Sequence, residues 1–313
     1  MQNKKYIVSM SPHLRGGSSM QKMMLTFMVG LIPTSLAAIY LFGIKSLIIM
    51  ALSMGTAVIV ESVIEKLTGR EYSGKDCHAL LTGMLLALII PPSAPWWIPV
   101  VGAATAIALG KMVFGGLGAY PFNPVIVAWL VLKLSWGERM STFLEPQSIT
   151  RALTPLMAIK EDPSLIYTYD LTSLFLGNKA GFIGTVCGLA ILAGGLFILL
   201  KGVIRWHMPL AFLAGIAIFA AVLKQINPDV YPSVTFHLIS GATLLGAFFL
   251  VPEPVSSPVT PRGMIMYGFL TGVLTMIIRM WGAHPDGVFY AILVMNSATP
   301  LFNHLKPKEY GRI

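Results

Sequence analysis

Long apolar runs alternate with short polar breaks along the whole chain, at lengths that suit membrane-spanning helices. Runs near 23–43, 46–64, 79–92, 96–114, 121–137, 180–200, 208–224, 236–252, 263–280 and 287–305 predict ten spans. The third and eighth are short, and each runs into prolines, Pro91-Pro92 and Pro252-Glu253-Pro254. Proline lacks an amide hydrogen and fixes φ, so both helices are expected to break there and free backbone groups. Within a bilayer such groups persist only when buried in protein or lining a cavity, so the breaks are the expected site for an ion, substrate or cofactor. The bland alternative is a pair of proline-terminated helices ending at the interface, with Gly241 and Ala242 serving close helix packing.

The pattern also repeats. His78-Ala-Leu-Leu-Thr-Gly-Met-Leu-Leu-Ala before Pro91-Pro92 is echoed by His237-Leu-Ile-Ser-Gly-Ala-Thr-Leu-Leu-Gly before Pro252-Glu-Pro254. Gly118-Ala-Tyr-Pro-Phe-Asn123 likewise matches Gly282-Ala-His-Pro-Asp-Gly287. Each copy holds five spans, and an odd number forces the second copy to be inserted upside down. The expected fold is an all-α membrane protein of two inverted five-helix repeats, residues 1–137 and 180–313. A long segment, 138–179, joins them and is too large for a minimal connection.

Composition agrees with lipid as the solvent: 55% of residues are hydrophobic and 11% charged, against roughly 25% charged in soluble domains. Residues 1–22 are polar and basic and the first apolar run is full length, so no cleavable signal is expected. The formal charge of +9 does not point to nucleic acid, because the basic residues are scattered between apolar spans and report orientation. With the N-terminus in the cytoplasm, fourteen basic residues fall on that side: Lys4, Lys5, Arg15, Lys22, Lys66, Arg70, Lys75, Lys111, Lys201, Arg205, Arg262, Lys306, Lys308 and Arg312. Both termini are then cytoplasmic and the 138–179 loop extracytoplasmic.

Candidate chemistry is sparse. Cys77 and Cys187 form no C-x-x-C pair, so neither an iron–sulfur cluster nor a zinc site can be built from this chain alone, and no metal ligand is assigned. Glu61 falls within the second span, where an ionisable group is a functional candidate by default, unless it sits near the interface and pairs with Lys66. Glu253, between two prolines at the eighth-span break, is the sharper candidate for meeting a cation or polar cofactor. His78 and His237 begin matching helices and read as packing residues; Asp286 and His284 read as turn residues with a capping role. In the long segment, Thr154-Pro155 taken alone is an ordinary turn.

Across nearly its whole length the chain resembles the D subunits of Rnf-type electron-transport complexes, relatives of the B subunits of sodium-translocating NADH:quinone reductases. The resemblance rests on Ser11-Pro-His-Leu-Arg15, Leu81-Thr-Gly-Met-Leu-Leu-Ala-Leu88, Gly115-Gly-Leu-Gly118 through Pro121-Phe-Asn-Pro124, Arg205-Trp-His-Met-Pro209, Ser240-Gly-Ala-Thr-Leu-Leu-Gly-Ala-Phe-Phe249 and Pro285-Asp-Gly287. It implies FMN joined through its phosphate to a threonine, in a complex that couples ferredoxin–NAD electron transfer to movement of Na⁺ or H⁺. The family's threonine is followed by Pro-Leu in the long loop, which here falls on Thr154-Pro155-Leu156, with Arg151 nearby as a candidate neighbour of the phosphodiester. Ser240-Gly-Ala-Thr243 resembles the attachment string of related subunits, but it lies in an apolar half-helix, and the family's flavin-attaching enzyme works outside the cytoplasm. A second, non-covalent flavin such as riboflavin is a further expectation near the helix breaks. The partners implied are membrane helical, flavin and iron–sulfur subunits of the complex, with lipid around them, in a bacterial or archaeal cytoplasmic membrane. The rival from another class is a solute carrier or channel without redox role, since inverted five-span repeats with broken helices occur there too; flavin content separates the two.

Overall fold

A computed structural model describes residues 20–69, 76–146, 148, 150–162, 164–165, 169–228 and 230–304. The Ser11–Arg15 string and most of the terminal basic residues lie outside these. The protein is an all-α membrane protein. Five helical stretches are long and apolar enough to cross a bilayer: α1 (Met20–Phe42), α2 (Ile44–Thr68), α4 (Trp97–Ala108) with the 3₁₀ turn that carries it to Phe114, α9 (His207–Ile226) and α12 (Pro261–Trp281). Four shorter apolar helices accompany them: α3 (His78–Leu88), α5 (Pro124–Ser135), α8 (Gly188–Leu200) and α13 (Val288–Asn303). The remaining span is broken into α10 (Val234–Ile239), α11 (Thr243–Leu245) and a π-helical turn, Gly246–Leu250. In the long connection lie a small hairpin, Phe143–Leu144 against Arg151–Ala152, and two short helices, α6 (Pro155–Glu161) and α7 (Leu171–Leu176).

Local chemistry explains the helix ends. Asn123 and Thr260 accept hydrogen bonds from Val125 N and Gly263 N, and each is followed by a proline in the first turn, where no amide is needed. Gly69, at φ 66°, ends α2 with its N–H on Glu65 O.

The packing repeats as the sequence does. α2 packs on α3 and α4 as α9 packs on α10 and α12; α4 meets α5 as α12 meets α13. Across the halves, α1 packs on α8 and α5 on α13. The two copies run in opposite directions, because Tyr120 joins His78, at the start of α3, to Glu253, beyond the end of the eighth span. Small residues allow the closest approaches. A Cβ on Gly194 would strike Gly30 O, and one on Gly272 would strike Phe212 O.

Two expected boundaries move. The apolar pattern predicts the sixth span over 180–200, but its helix starts at Gly188; residues 180–187 are irregular and run beside the end of α3. Gly184 N donates to Leu88 O at 2.7 Å and Ile183 N to Ile90 O at 3.1 Å, which satisfies carbonyls left by the early end of that helix. The eighth span does end at Pro252, yet its sharper break is earlier, at Ser240-Gly241-Ala242, where Gly241 adopts φ +63°. A Cβ there would lie 2.5 Å from Asp286 Oδ2, so Gly241 and Ala242 shape the break itself.

Candidate functional site

The break in the eighth span is held by charged groups from elsewhere. Arg279, near the end of α12, donates to His237 O at 2.9 Å, Ser240 O at 3.2 Å and Thr243 Oγ1 at 2.8 Å. Asp286 bridges the other side, accepting from Arg279 Nη2 at 3.1 Å and from Ala242 N at 2.6 Å. Lys179 Nζ donates to Ile239 O. Thr243 is fully buried and its single hydroxyl proton is shared between His237 O and Ser240 O while the oxygen accepts from Arg279.

Thr154 stands differently. It is the half-buried N-cap of α6, its Oγ1 accepting from Met157 N at 3.2 Å, and it borders a cleft. That cleft lies between α5, α6, residues 179–185 and the α12–α13 connection and, counted out into its open mouth, holds about 570 Å³ of empty space. Its floor is aromatic. Trp129 packs edge-on against Tyr290 at 5.1 Å, and Tyr290 stacks on His284 at 4.5 Å between ring centroids. Trp129 Nε1 and Tyr290 Oη are buried without a hydrogen-bond partner among the described residues. Lys133, on a Ser141 hydroxyl, and Lys179 supply positive charge inside, while Lys160 lines the adjoining outer mouth with Lys133 and His284. Burial holds the Lys179 ammonium down to about 8, and burial together with Lys133 and Lys160 holds His284 below the ordinary imidazole range.

These features fit a flavin mononucleotide: a threonine hydroxyl bordering the cleft with its proton unspent, cations for a phosphodiester, flat apolar walls for a ring system, and unspent donors on Trp129 and Tyr290. Arg151 does not join them; it is exposed on the hairpin, paired with Leu144. The cations that do join are hidden in the sequence, because Lys133 sits late in an apolar span and Lys179 reads as a loop residue.

The opposite end of the protein carries the two candidate carboxylates. Glu61 is 2% exposed and pairs with Lys111, itself 1% exposed, rather than with Lys66. Helical geometry explains the difference: Lys66 is five residues on and faces away, whereas α4 carries Lys111 against α2. Glu253 accepts from Tyr120 Oη at 2.8 Å, Ser256 N at 2.7 Å and Ser256 Oγ at 2.6 Å. Since Tyr120 has one proton and gives it to Glu253, the contact of 2.8 Å to His78 Nε2 is one in which the imidazole donates. His78 therefore does more than pack. A smaller cavity, about 390 Å³ of empty space, lies beside this network, with His78, Thr82, Asn123, Phe249 and Glu253 in its wall. The two cavities nearly meet along α5: Val125 lines one and Trp129 the other, four residues or about 6 Å of helix rise apart.

Comparison with known proteins gives a consistent answer. The chain is 42% identical to the D subunit of the Na⁺-translocating ferredoxin:NAD⁺ oxidoreductase complex of Acetobacterium woodii, over 97% of this chain and 95% of that one. It is 36% identical to the D subunit of an ion-translocating oxidoreductase complex of Vibrio cholerae, covering 98% and 99% of the two chains. Its counterpart of the same description in Yersinia enterocolitica is 35% identical, with 97% and 98% covered. Residues 7–311 match one family from end to end, and the chain belongs to the NQR2, RnfD, RnfE family.

Proposed function

We propose that this chain is the D-type membrane subunit of an ion-translocating ferredoxin:NAD oxidoreductase complex and that it carries FMN esterified through its phosphate to Thr154. The observation that carries the reading is the Thr154 hydroxyl at the rim of an aromatic cleft, in a chain alike to D subunits over almost all its length. Bound there, FMN supplies electron transfer at its ring system. The chain's own residues do the rest. Lys133, Lys160 and Lys179 offset the phosphodiester charge; Trp129, Phe182 and Tyr290 exclude water; Trp129 Nε1 offers a hydrogen bond. Thr243 is the poorer acceptor of a phosphoryl group because Arg279 and two carbonyls already hold its oxygen. Neighbouring flavin, helical and iron–sulfur subunits would deliver and remove electrons, with the 138–179 segment extracytoplasmic and both termini cytoplasmic in a bacterial or archaeal inner membrane.

Peptide mass spectrometry of the native complex tests this: FMN mass is expected on the Thr154 peptide, lost in Thr154→Val and kept in Thr243→Val. Flavin on Thr243 would overturn the site, and flavin on neither peptide would overturn the flavoprotein reading.

In the same proposal, Glu61 and Glu253 lie on the ion path, being buried carboxylates at the end opposite the cleft. A second, non-covalent flavin such as riboflavin belongs to the same proposal, near the helix breaks. Glu61→Gln and Glu253→Gln are each expected to weaken ion-coupled electron transfer; intact coupling in both removes these carboxylates from the path.

A further inference from the structure

A third cavity lies on the other side of α6 from the Thr154 cleft and shares Lys160 with the outer mouth of that cleft. Leu156 and Pro285 border both, but this one is closed by the α9–α10 connection, α10 and the end of α12, and holds about 600 Å³ of empty space with its mouth. Its wall divides by chemistry: Ile159, Phe236 and Met280 are apolar, whereas His237, Arg279 and Lys160 carry hydrogen-bonding nitrogen. His237 is 1% exposed and Arg279 2% exposed, and they are neighbours through the Nη1 contact to His237 O. Nδ1 of the first and Nε of the second have no hydrogen-bond partner among the described residues. A guanidinium nitrogen can only donate, so what completes this wall must bring an acceptor. Arg279, Lys160 and the nearby Lys179 carry positive charge against the one negative charge of Asp286, so the wall suits an anion. At the same end, Ile226 and Val230 are exposed apolar residues that continue the outer face of α9 up to the mouth.

An anionic acceptor joined to an apolar tail is the chemistry of an anionic phospholipid. We infer that this cavity binds the phosphodiester group of such a lipid, its oxygens accepting from Arg279 Nε and His237 Nδ1, with Lys160 at the rim and an acyl chain along α9. The site stands whether or not Thr154 carries flavin.

The test uses the full chain, delipidated in detergent and titrated with phosphatidylglycerol, phosphatidylcholine or inorganic phosphate, reading bound lipid by native mass spectrometry and protection by thermal denaturation. Arg279 is left intact because it holds the helix break. His237→Phe removes the inner nitrogen, and Lys160→Gln removes the rim charge together with the Nζ bonds to Arg279 O and Gly282 O. One phosphatidylglycerol is expected to stay bound more tightly than phosphatidylcholine, and each variant should weaken it on the order of tenfold, the usual worth of one hydrogen bond to a charged group. Inorganic phosphate protecting as well as the lipid, with the same loss in both variants, would keep the phosphate site and assign it to a soluble anion. Equal binding of the two lipids without protection by phosphate, or binding unchanged in both variants, would overturn the inference.

Discussion

The Glu61–Lys111 pair shows what a charge costs at depth. Each side chain is removed from water, and each is tolerable because the other is there. Glu61→Gln strands a buried ammonium group and is expected to destabilise the protein by about 3–5 kcal/mol. Adding Lys111→Met to it should recover part of that loss, because no unpaired charge is then left buried, although the glutamine amide still lacks a partner. Thermal denaturation of the two variants checks both parts; a double variant no better than the single one would show that the pair contributes through packing instead. Glu253 is in a different position. Its oxygens are held by a tyrosine, a serine hydroxyl and a backbone amide, all donors that a glutamine oxygen also accepts at one side, so Glu253→Gln perturbs charge more than fold. At this scale the sequence marked Glu61 as a candidate but left its depth open and pointed to Lys66 as its partner, whereas the structure buries it against Lys111. Lys111 is fifty positions away, and a lysine at the end of an apolar run looks like an orientation signal until α4 is packed against α2.

At the level of elements, hydrophobic periodicity located nine apolar helices, five of them long enough to cross a bilayer, to within a few residues except where backbone geometry, not side-chain polarity, ends the helix. Pro91 and Pro252 announced two endings. The break at Ser240-Gly241-Ala242 was announced only by small residues, since its cause is Asp286 and Arg279 arriving from the next helix pair. Residues 180–187 are apolar enough to pass for helix, and nothing local reveals that their amides are spent on the carbonyls of α3. The α1–α8 crossing makes a direct test of element packing. With Gly30 O so close to the Gly194 Cα, Gly194→Ala forces the helices apart, at an expected cost of about 1–3 kcal/mol for overpacking. Denaturation midpoints compare it with Gly55→Ala, which has nothing within 4 Å to strike; equal midpoints would mean that the crossing yields without strain.

On the scale of the whole molecule, the inverted repeat places chemically different groups at equivalent breaks. One end offers carboxylates, an imidazole and a phenol; the other offers cations, aromatic rings and a half-buried threonine. The internal echo of His78 and His237 is legible in the sequence, as is the separate status of the 138–179 segment. Its threonine gains weight only from the family resemblance, because Thr154-Pro155 has no local mark of use. The cleft beneath it draws Trp129, Lys179 and Tyr290 from three distant stretches of chain, a constellation that no sequence window contains. The same interdependence has a consequence for how the chain is made. When the ribosome has delivered only the first half, the carbonyls of Leu88 and Ile90 have no Gly184 or Ile183 to receive from, and lipid cannot supply a donor. A chain interrupted in the 138–179 loop is therefore expected to mature only when both pieces are present in the membrane together.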